Sequence, residues 1–420
     1  MNYPQLNAER LWARVEALSE LTRPETPWTR RAFTELFMQS RYWLRDQFEQ
    51  AGLQVRLDEA GNLIGRRAGK NPQAKALVTG SHCDTVVGGG RFDGIIGVLA
   101  GLEIAHSLHE QHIELEHPFE VIDFLSEEPS DYGISCVGSR GIAGKLDGAM
   151  LASTNDQGET LAQAIARIGG MPEKLGAPLR PADGSAAFVE LHIEQGPVLE
   201  SRQCPIGVVT NIVGIRRTRL RVLGQPDHAG TTPMDMRRDA LVGAAVVIQA
   251  VQQAAAELSG KPHYVVATVG KISVSPNVAN AVPGAVEMTM EVRSDSSALL
   301  DSFPEQVTAS VAAKIEALRL TLHCDNVSYT KPTDCSEMVM QTVEEASAGM
   351  AFSTLRLPSG AGHDAVYMAQ TGPMGMIFVP CKAGRSHCPE EWIEPEQLLD
   401  GTRVLYQTIL ALDRRIECRQ

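Results

Sequence analysis

The sequence predicts an α/β protein of two domains, and three observations carry that prediction. First, short apolar runs of strand character alternate with segments of helical periodicity in the N-terminal half and again near the C-terminus. Second, residues 213–329 run in the order β-α-β-β-α-β, the split arrangement of a ferredoxin-like α+β module. Third, 420 residues exceed what one simple core holds. The expected division is a discontinuous domain of residues 1–212 and 330–420, with residues 213–329 inserted into it.

From Asn7 to Ala51 apolar positions fall at helical spacing, first Leu11, Val15 and Leu18, then Phe33, Phe37, Trp43, Leu44 and Phe48, so two helices are expected. Gln54 to Arg66 is expected as a hairpin turning at Ala60-Gly61-Asn62. Ala76 to Gly80 has the character of a short buried strand, and a long helix begins near Asp93 and runs through Val98, Leu102 and Ala105. Phe119 to Leu125 is a strand that delivers two adjacent acids, Glu127 and Glu128. In the inserted region, strands are expected at 216–222, 264–272, 285–292 and 321–329, with helices at 240–258 and 302–318. A helix at 336–350, a strand at 375–380 and a terminal helix at 395–413 complete the chain.

A net charge of −13 argues against a nucleic-acid partner, which would favour a basic face. The eight cysteines (Cys83, Cys136, Cys204, Cys324, Cys335, Cys381, Cys388 and Cys418) form no C-x-x-C pair, so reduced thiols in a cytoplasmic protein are expected. Residues 1–6 show no signal-peptide pattern, and no apolar run of membrane-spanning length stands out, so no membrane partner is expected.

The chemistry gathers around the paired acids. Adjacent carboxylates at the end of a buried strand repel one another and lose water, and a nearby cation relieves both costs. His82, Asp93, His192 and His387 can supply the remaining ligands. His82 follows a strand end, Asp93 lies in a glycine-rich turn at a helix start, and His387 lies in a polar loop after a strand. A simple N-cap is the bland alternative for Asp93. Asp84 is placed to orient His82 through the ring nitrogen not on a metal. Five ligands of mixed nitrogen and oxygen type, with Asp93 bridging, fit two divalent ions such as zinc, manganese, cobalt or nickel. Glu128 would bind metal while Glu127, beside it, would move protons. His106, His109, His112 and His117 lack interleaved acids at ligand spacing and are expected to be solvated; Cys83 is expected to be structural.

The motifs G-S-H-C-D-T-V (80–86), G-G-R-F-D-G-I-I-G-V (89–98), S-E-E (126–128), G-S-R-G-I-A-G (138–144), E-L-H-I-E-Q-G-P-V-L-E (190–200), D-H-A-G-T-T-P-M (227–234), P-N-V-A-N-A-V-P-G (276–284), S-G-A-G-H-D-A (359–365) and S-H-C-P-E-E (386–391) cover nearly the whole chain. Together they resemble the dinuclear-metal aminoacylase/carboxypeptidase superfamily. More narrowly, they resemble its hydantoinase/carbamoylase branch of N-carbamoyl-L-amino acid hydrolases, β-ureidopropionases and allantoate amidohydrolases. The resemblance implies a metallopeptidase-like catalytic domain, with a mixed central sheet flanked by helices, and an inserted lid through which two copies dimerise. It implies one ion on His82, Asp93 and His192, a second on Asp93, Glu128 and His387, and Glu127 as general base. His228 would stabilise an oxyanion in the partner subunit's site, Asn280 and Arg293 would grip a substrate carboxylate, and Gln195, Gly362 and His363 would line the pocket. The implied activity is hydrolysis of a carbamoyl (ureido) C–N bond. The alternatives are allantoate hydrolysis in particular, an N-acyl amino acid hydrolase or dipeptidase on the same metals, and a binding protein that has lost catalysis. One departure stands out: where the family often has Gly-x-Arg-Phe after the paired acids, this chain has Pro129-Ser130-Asp131-Tyr132.

Overall fold

The computed structural model describes residues 5–416; residues 1–4 and Cys418, which enter the N-terminal and cysteine expectations, lie outside the described residues. The chain forms two compact units. One comprises the described residues up to Thr210, Cys335–Leu357 and those from Gly362 onward; the other comprises Asn211–Asp334 and Pro358–Ala361.

The first unit is built on a mixed sheet whose strands lie in the order Gln54–Leu57, Leu63–Arg67, Phe119–Phe124, Ala76–His82, Ser185–Ile193, Met374–Val379 and Ile206–Ile212. The four strands from Phe119–Phe124 to Met374–Val379 run parallel, so their C-terminal ends share one edge. Every residue of these four is buried, as in parallel strands covered on both faces, including the polar Glu120, Asp123 and Glu190. The helix Ile95–Glu110 lies against this sheet with thirteen of its residues buried. Among them is Glu103, whose charge is matched by Arg10 at 2.7 Å and Arg14 at 3.0 Å from the first helix, Ala8–Ser19.

In the second unit the expected β-α-β-β-α-β order is present. Its antiparallel sheet is ordered Thr321–Thr330, Gly214–Leu223, Ala285–Ser294, Val265–Ser275. Leu220, Val222, Met288, Met290 and Val292 from the sheet pack with Ala244, Val247 and Val251 of one helix and Phe303, Val307 and Val311 of the other.

Several expectations need correction. The second helix of this unit spans Ser297–Ala317, beginning five residues before the expected start. Pro304 made the earlier turn look non-helical, but the Leu300 carbonyl, which has no N–H from residue 304, accepts from Arg216 Nη1 at 3.0 Å. The helix Ala240–Leu258 is long and apolar enough by composition to cross a membrane, which the sequence reading did not anticipate. Its Ala240, Gly243, Ala244, Val247, Val251 and Ala255 are buried within its unit. His117 is buried rather than solvated, its Nδ1 3.0 Å from Asp413 Oδ1 of the terminal helix. The strands Ile206–Ile212 and Thr354–Ser359 were not anticipated.

Candidate metal centre and active site

The shared strand edge gathers the chemistry. His82 is the last residue of its strand, His192 the penultimate residue of the neighbouring one, and the register sets His82 beside Phe124 and His192 beside Phe378. Glu127 and Glu128 follow Phe124 after a backward turn at Ser126 (φ 51°), and His387 follows the strand ending at Val379. Ligands borne on strand ends sit on rigid supports at the crevice of a parallel sheet. Asp93 is not the helix N-cap. Gly94 takes that position, with φ 69° and no side-chain cap, which leaves the Asp93 carboxylate free to face the histidines. A β-carbon on Gly94 would stand 2.3 Å from His82 Nε2, so only glycine leaves the ring its place.

Asp93 lies at the centre. Its Oδ1 is 3.2 Å from His192 Nε2 and 3.7 Å from His82 Nε2. Its Oδ2 is 3.2 Å from His387 Nε2, which is itself 2.9 Å from Glu128 Oε1. Of three candidate ligand sets among the described residues, two share Asp93, His82–Asp93–His192 and Asp93–Glu128–His387, and the third is Glu190–His192–His363; the ligand atoms of each lie within 4.8 Å of one another. Glu127 belongs to none of them. Its Oε2 stands 3.6 Å from His82 Nε2, and Oε1 accepts from the Cys136 thiol at 3.4 Å.

The electrostatics fit a cation. Although burial favours the neutral form, His82 is raised well above its ordinary pKa by Glu127, Asp84 and Asp93. His192 is also raised, by Asp93 and Glu190, against its burial. His387 is pushed up to about 11 by its bonds to Asp93 and Glu128. The acids here draw protons onto imidazoles that divalent ions would otherwise bind, and the donor set is the mixed nitrogen and oxygen kind that zinc and its neighbours take. Burial, with Glu128, Asp364 and Asp84 nearby, lifts Glu127 well above the usual carboxylate range, as a proton-transferring acid requires. Asp93, though buried, is held well below that range by His192 and His387.

Around the ligands stands a second ring of partners. The His82 Nδ1 atom faces the Asp84 carbonyl at 3.0 Å, whereas the Asp84 carboxylate is 3.7 Å away and instead accepts the backbone N–H groups of Glu127 and Glu128, both at 3.2 Å. Asp84 therefore orients the paired acids more directly than the imidazole. His192 Nδ1 faces its neighbour's carbonyl at 2.9 Å, which fixes the ring. The sequence reading missed Ser386 and Glu391, although both lie in the S-H-C-P-E-E motif. Ser386 Oγ is 2.6 Å from Asp93 Oδ2 and 2.7 Å from Glu391 Oε2, and Glu391 Oε1 accepts the N–H groups of Phe92 and Asp93. One hydroxyl proton cannot serve both acids. Burial and the nearness of Asp93 push Glu391 up to about 7, which favours its protonated form.

Gln195, in a left-handed conformation (φ 57°), donates from Nε2 to Asp93 Oδ2 at 2.6 Å, and its buried Oε1 has no partner. The His363 ring is buried at 4.6 Å from that of His192, and burial with that neighbour keeps it neutral; Gly362 is exposed and open. Glu194, just past the strand end, accepts the N–H groups of Val198 and Leu199 at 2.8 Å. Asp131 is exposed and paired with Arg31 at 2.6 Å, so its charge is matched locally.

In the second unit, His228 pairs with Ala281 and the Asn280 carbonyl accepts from Ala229 N–H, which brings His228 and Asn280 together. His228 Nδ1 accepts from Gly230 N–H at 3.1 Å, leaving Nε2 as the proton-bearing atom. Arg293 directs Nε and Nη2 to Glu291 Oε1, both at 2.8 Å, and Nη1 to the Gly360 carbonyl at 2.7 Å.

The model of Peptidase family M20/M25/M40 matches residues 78–411. An N-carbamoyl-L-amino-acid amidohydrolase of Paenarthrobacter aurescens is 39% identical over 99% of this chain and 100% of its own length. An allantoate amidohydrolase of Bacillus subtilis is 32% identical over 91% of this chain and 92% of its own. The crystal structure of an amidase of the hydantoinase/carbamoylase family from Burkholderia multivorans superposes with a TM-score of 0.89 at 36% identity, covering 97% of this chain and 98% of that one. With its candidate ligand residues gathered at the edge where the parallel strands end and this likeness along its whole length, the chain belongs to the peptidase M20/M25/M40 family, in its hydantoinase/carbamoylase branch.

Proposed function

We propose that the protein is a two-metal amidohydrolase that cleaves the carbamoyl (ureido) C–N bond of an N-carbamoyl amino acid or a related ureido carboxylate. The observation that carries this is the Asp93 carboxylate, directed through one oxygen to His82 and His192 and through the other to His387. Glu127 stands beside the ligands without joining them. Bound divalent ions would supply Lewis-acid polarisation of the carbonyl and a more acidic water. Glu127 takes a proton from the attacking water and returns it to the nitrogen that leaves as the C–N bond breaks; its raised pKa suits both transfers. His82, Asp93, His192, Glu128 and His387 would hold the ions, and Asp84 holds Glu127 and Glu128 in register through their backbone amides. Gln195, Gly362 and His363 line the substrate pocket. His228 donates from Nε2 to the developing oxyanion, Asn280 assists, and the Arg293 fork, aligned by Glu291, takes the substrate carboxylate.

A homodimer through the inserted unit belongs to the same reading, with His228 serving the partner subunit's site. Its support is the resemblance together with the exposed Leu241, Val242 and Ile248 on an otherwise sheet-covering helix.

The test is ammonia release by metal-reconstituted enzyme from N-carbamoyl-L-amino acids, N-carbamoyl-β-alanine, allantoate and ureidoglycolate, with N-acetyl amino acids and dipeptides as controls. Ammonia from a ureido compound with silent controls is the expected outcome. Cleavage of the controls instead would move the enzyme to the acylase or peptidase side of its family.

A further inference from the structure

We infer that Ser386 and Glu391 are positioning residues that set the plane of the Asp93 carboxylate; this rests on the reading that Asp93 is shared between two metal sites. The terminal carboxylate torsion of an aspartate is broad, so a bridging Asp needs outside partners to keep its two oxygens aimed in different directions. Asp93 Oδ1 faces His82 and His192 and is not in contact with either partner. On the other oxygen, the Ser386 hydroxyl stands 2.6 Å from Oδ2, the atom that faces His387 and also accepts from Gln195. Glu391 governs the same residue from two directions. It accepts the Asp93 N–H at 3.0 Å and the Phe92 N–H at 2.8 Å, and it holds Ser386 at 2.7 Å.

The loop that carries Asp93 and the loop that carries His387 are almost three hundred residues apart in sequence, and Glu391 fastens one to the other. The surroundings are shaped to that fastening. Glu391 occupies the space that a side chain at Gly90 would need, with its Oε1 only 1.8 Å from an added β-carbon. Next to it, the Trp392 ring meets Phe92 edge to face at 5.6 Å and Trp12 at 5.8 Å, while the Arg91 guanidinium lies between Trp28 at 4.6 Å and Trp392 at 4.8 Å. The aromatic clasp holds the loops together, and Ser386 and Glu391 convert that proximity into an orientation of one carboxylate.

The test compares wild type with Ser386→Ala, Glu391→Ala and Glu391→Gln. Metal per subunit is read by elemental analysis after dialysis, zinc affinity by chelator competition, and folding by the melting of the metal-free proteins. Ser386→Ala and Glu391→Ala are expected to weaken one of the two ions about 10- to 100-fold, the range for lost partners of a metal ligand. Glu391→Gln is expected to recover most of the affinity that Glu391→Ala loses, because its amide carbonyl can still accept the Phe92 and Asp93 N–H groups. Ser386→Ala removes a single hydroxyl and keeps the test open if Glu391→Ala fails to fold. Wild-type affinity for both ions in Ser386→Ala overturns the inference. One ion in the wild type overturns the two-metal reading instead, and the inference then stands or falls on whether Ser386→Ala weakens that ion.

Discussion

Glu127 and Glu128 are adjacent in sequence and equally buried, and their side chains face different partners. Glu128 lies 2.9 Å from His387 in a ligand set, whereas Glu127 faces His82 at 3.6 Å from outside either set. Glu127→Gln is therefore expected to keep its metal while losing about 10²- to 10⁴-fold in kcat, as removal of a general base does. Metal content and initial rates on the same preparation check this, and near-normal turnover would remove Glu127 from the role. Glu120, far from that chemistry along its strand, illustrates a charge that serves stability. Burial alone would raise its pKa, but the Arg180 and Arg66 guanidiniums outweigh burial and hold it below the ordinary 4.5. A depressed folded pKa means that the stabilisation is complete above the unfolded value and is lost as pH falls through the folded one. Glu120→Gln should cost about 3–5 kcal/mol near neutral pH, since one partner of a buried ion pair is lost. In urea denaturation the gap from wild type should close at pH values below 4.5. At this scale the residues that gather into the two Asp93 sets, and Glu127 beside them, were legible in the sequence from residue type and position near strand ends and a helix start. Ser386, Glu391 and the actual partner of Asp84 were not, because hydrogen bonds between distant loops leave no periodic trace.

The active edge is a property of elements. Four parallel strands end together, and the N-terminus of Ile95–Glu110 sits beside them with Asp93 just before it. Gly94 carries that junction. Gly94→Ala is expected to yield a folded protein with metal affinity and activity both lowered at least about tenfold, since its β-carbon would displace the His82 ring and its positive φ strains any other residue. Circular dichroism together with metal titration would check it; unchanged metal affinity would show that the ring accommodates the methyl group. Sequence patterning marked the strands that lead to His82, the paired acids and His387, whereas Ser185–Ile193, with Glu190 and His192 inside its apolar run, was not marked as an element. Patterning placed the start of the Ser297–Ala317 helix too late, because Pro304 breaks the local signal and the compensating Arg216 donor comes from a distant strand.

At the scale of the whole molecule, the proposed homodimer makes a mixing prediction. Glu127→Gln disables the site of its own subunit, so the complementary variant is His228→Ala, expected to be nearly inactive alone. If His228 serves the partner's site, mixing the two variants under exchange should recover about a quarter of wild-type activity, the fraction of sites left intact in random dimers. No recovery in a mixture shown to exchange would confine His228 to its own subunit or remove it from the reaction.

The sequence by itself determined the chemistry available: two adjacent acids after a strand, three histidines at or beyond strand ends, an aspartate at a helix start, and an inserted module of alternating order. Side-chain type and apolar periodicity are local properties, and they survive in one dimension. Tertiary structure alone decided how that chemistry is aimed. Parallel pairing brought four strand ends to one edge, the Asp93 carboxylate was divided between two groups of ligands, and Glu391 was set against residues almost three hundred positions away. Orientation depends on contacts between segments that only the folded sheet makes neighbours.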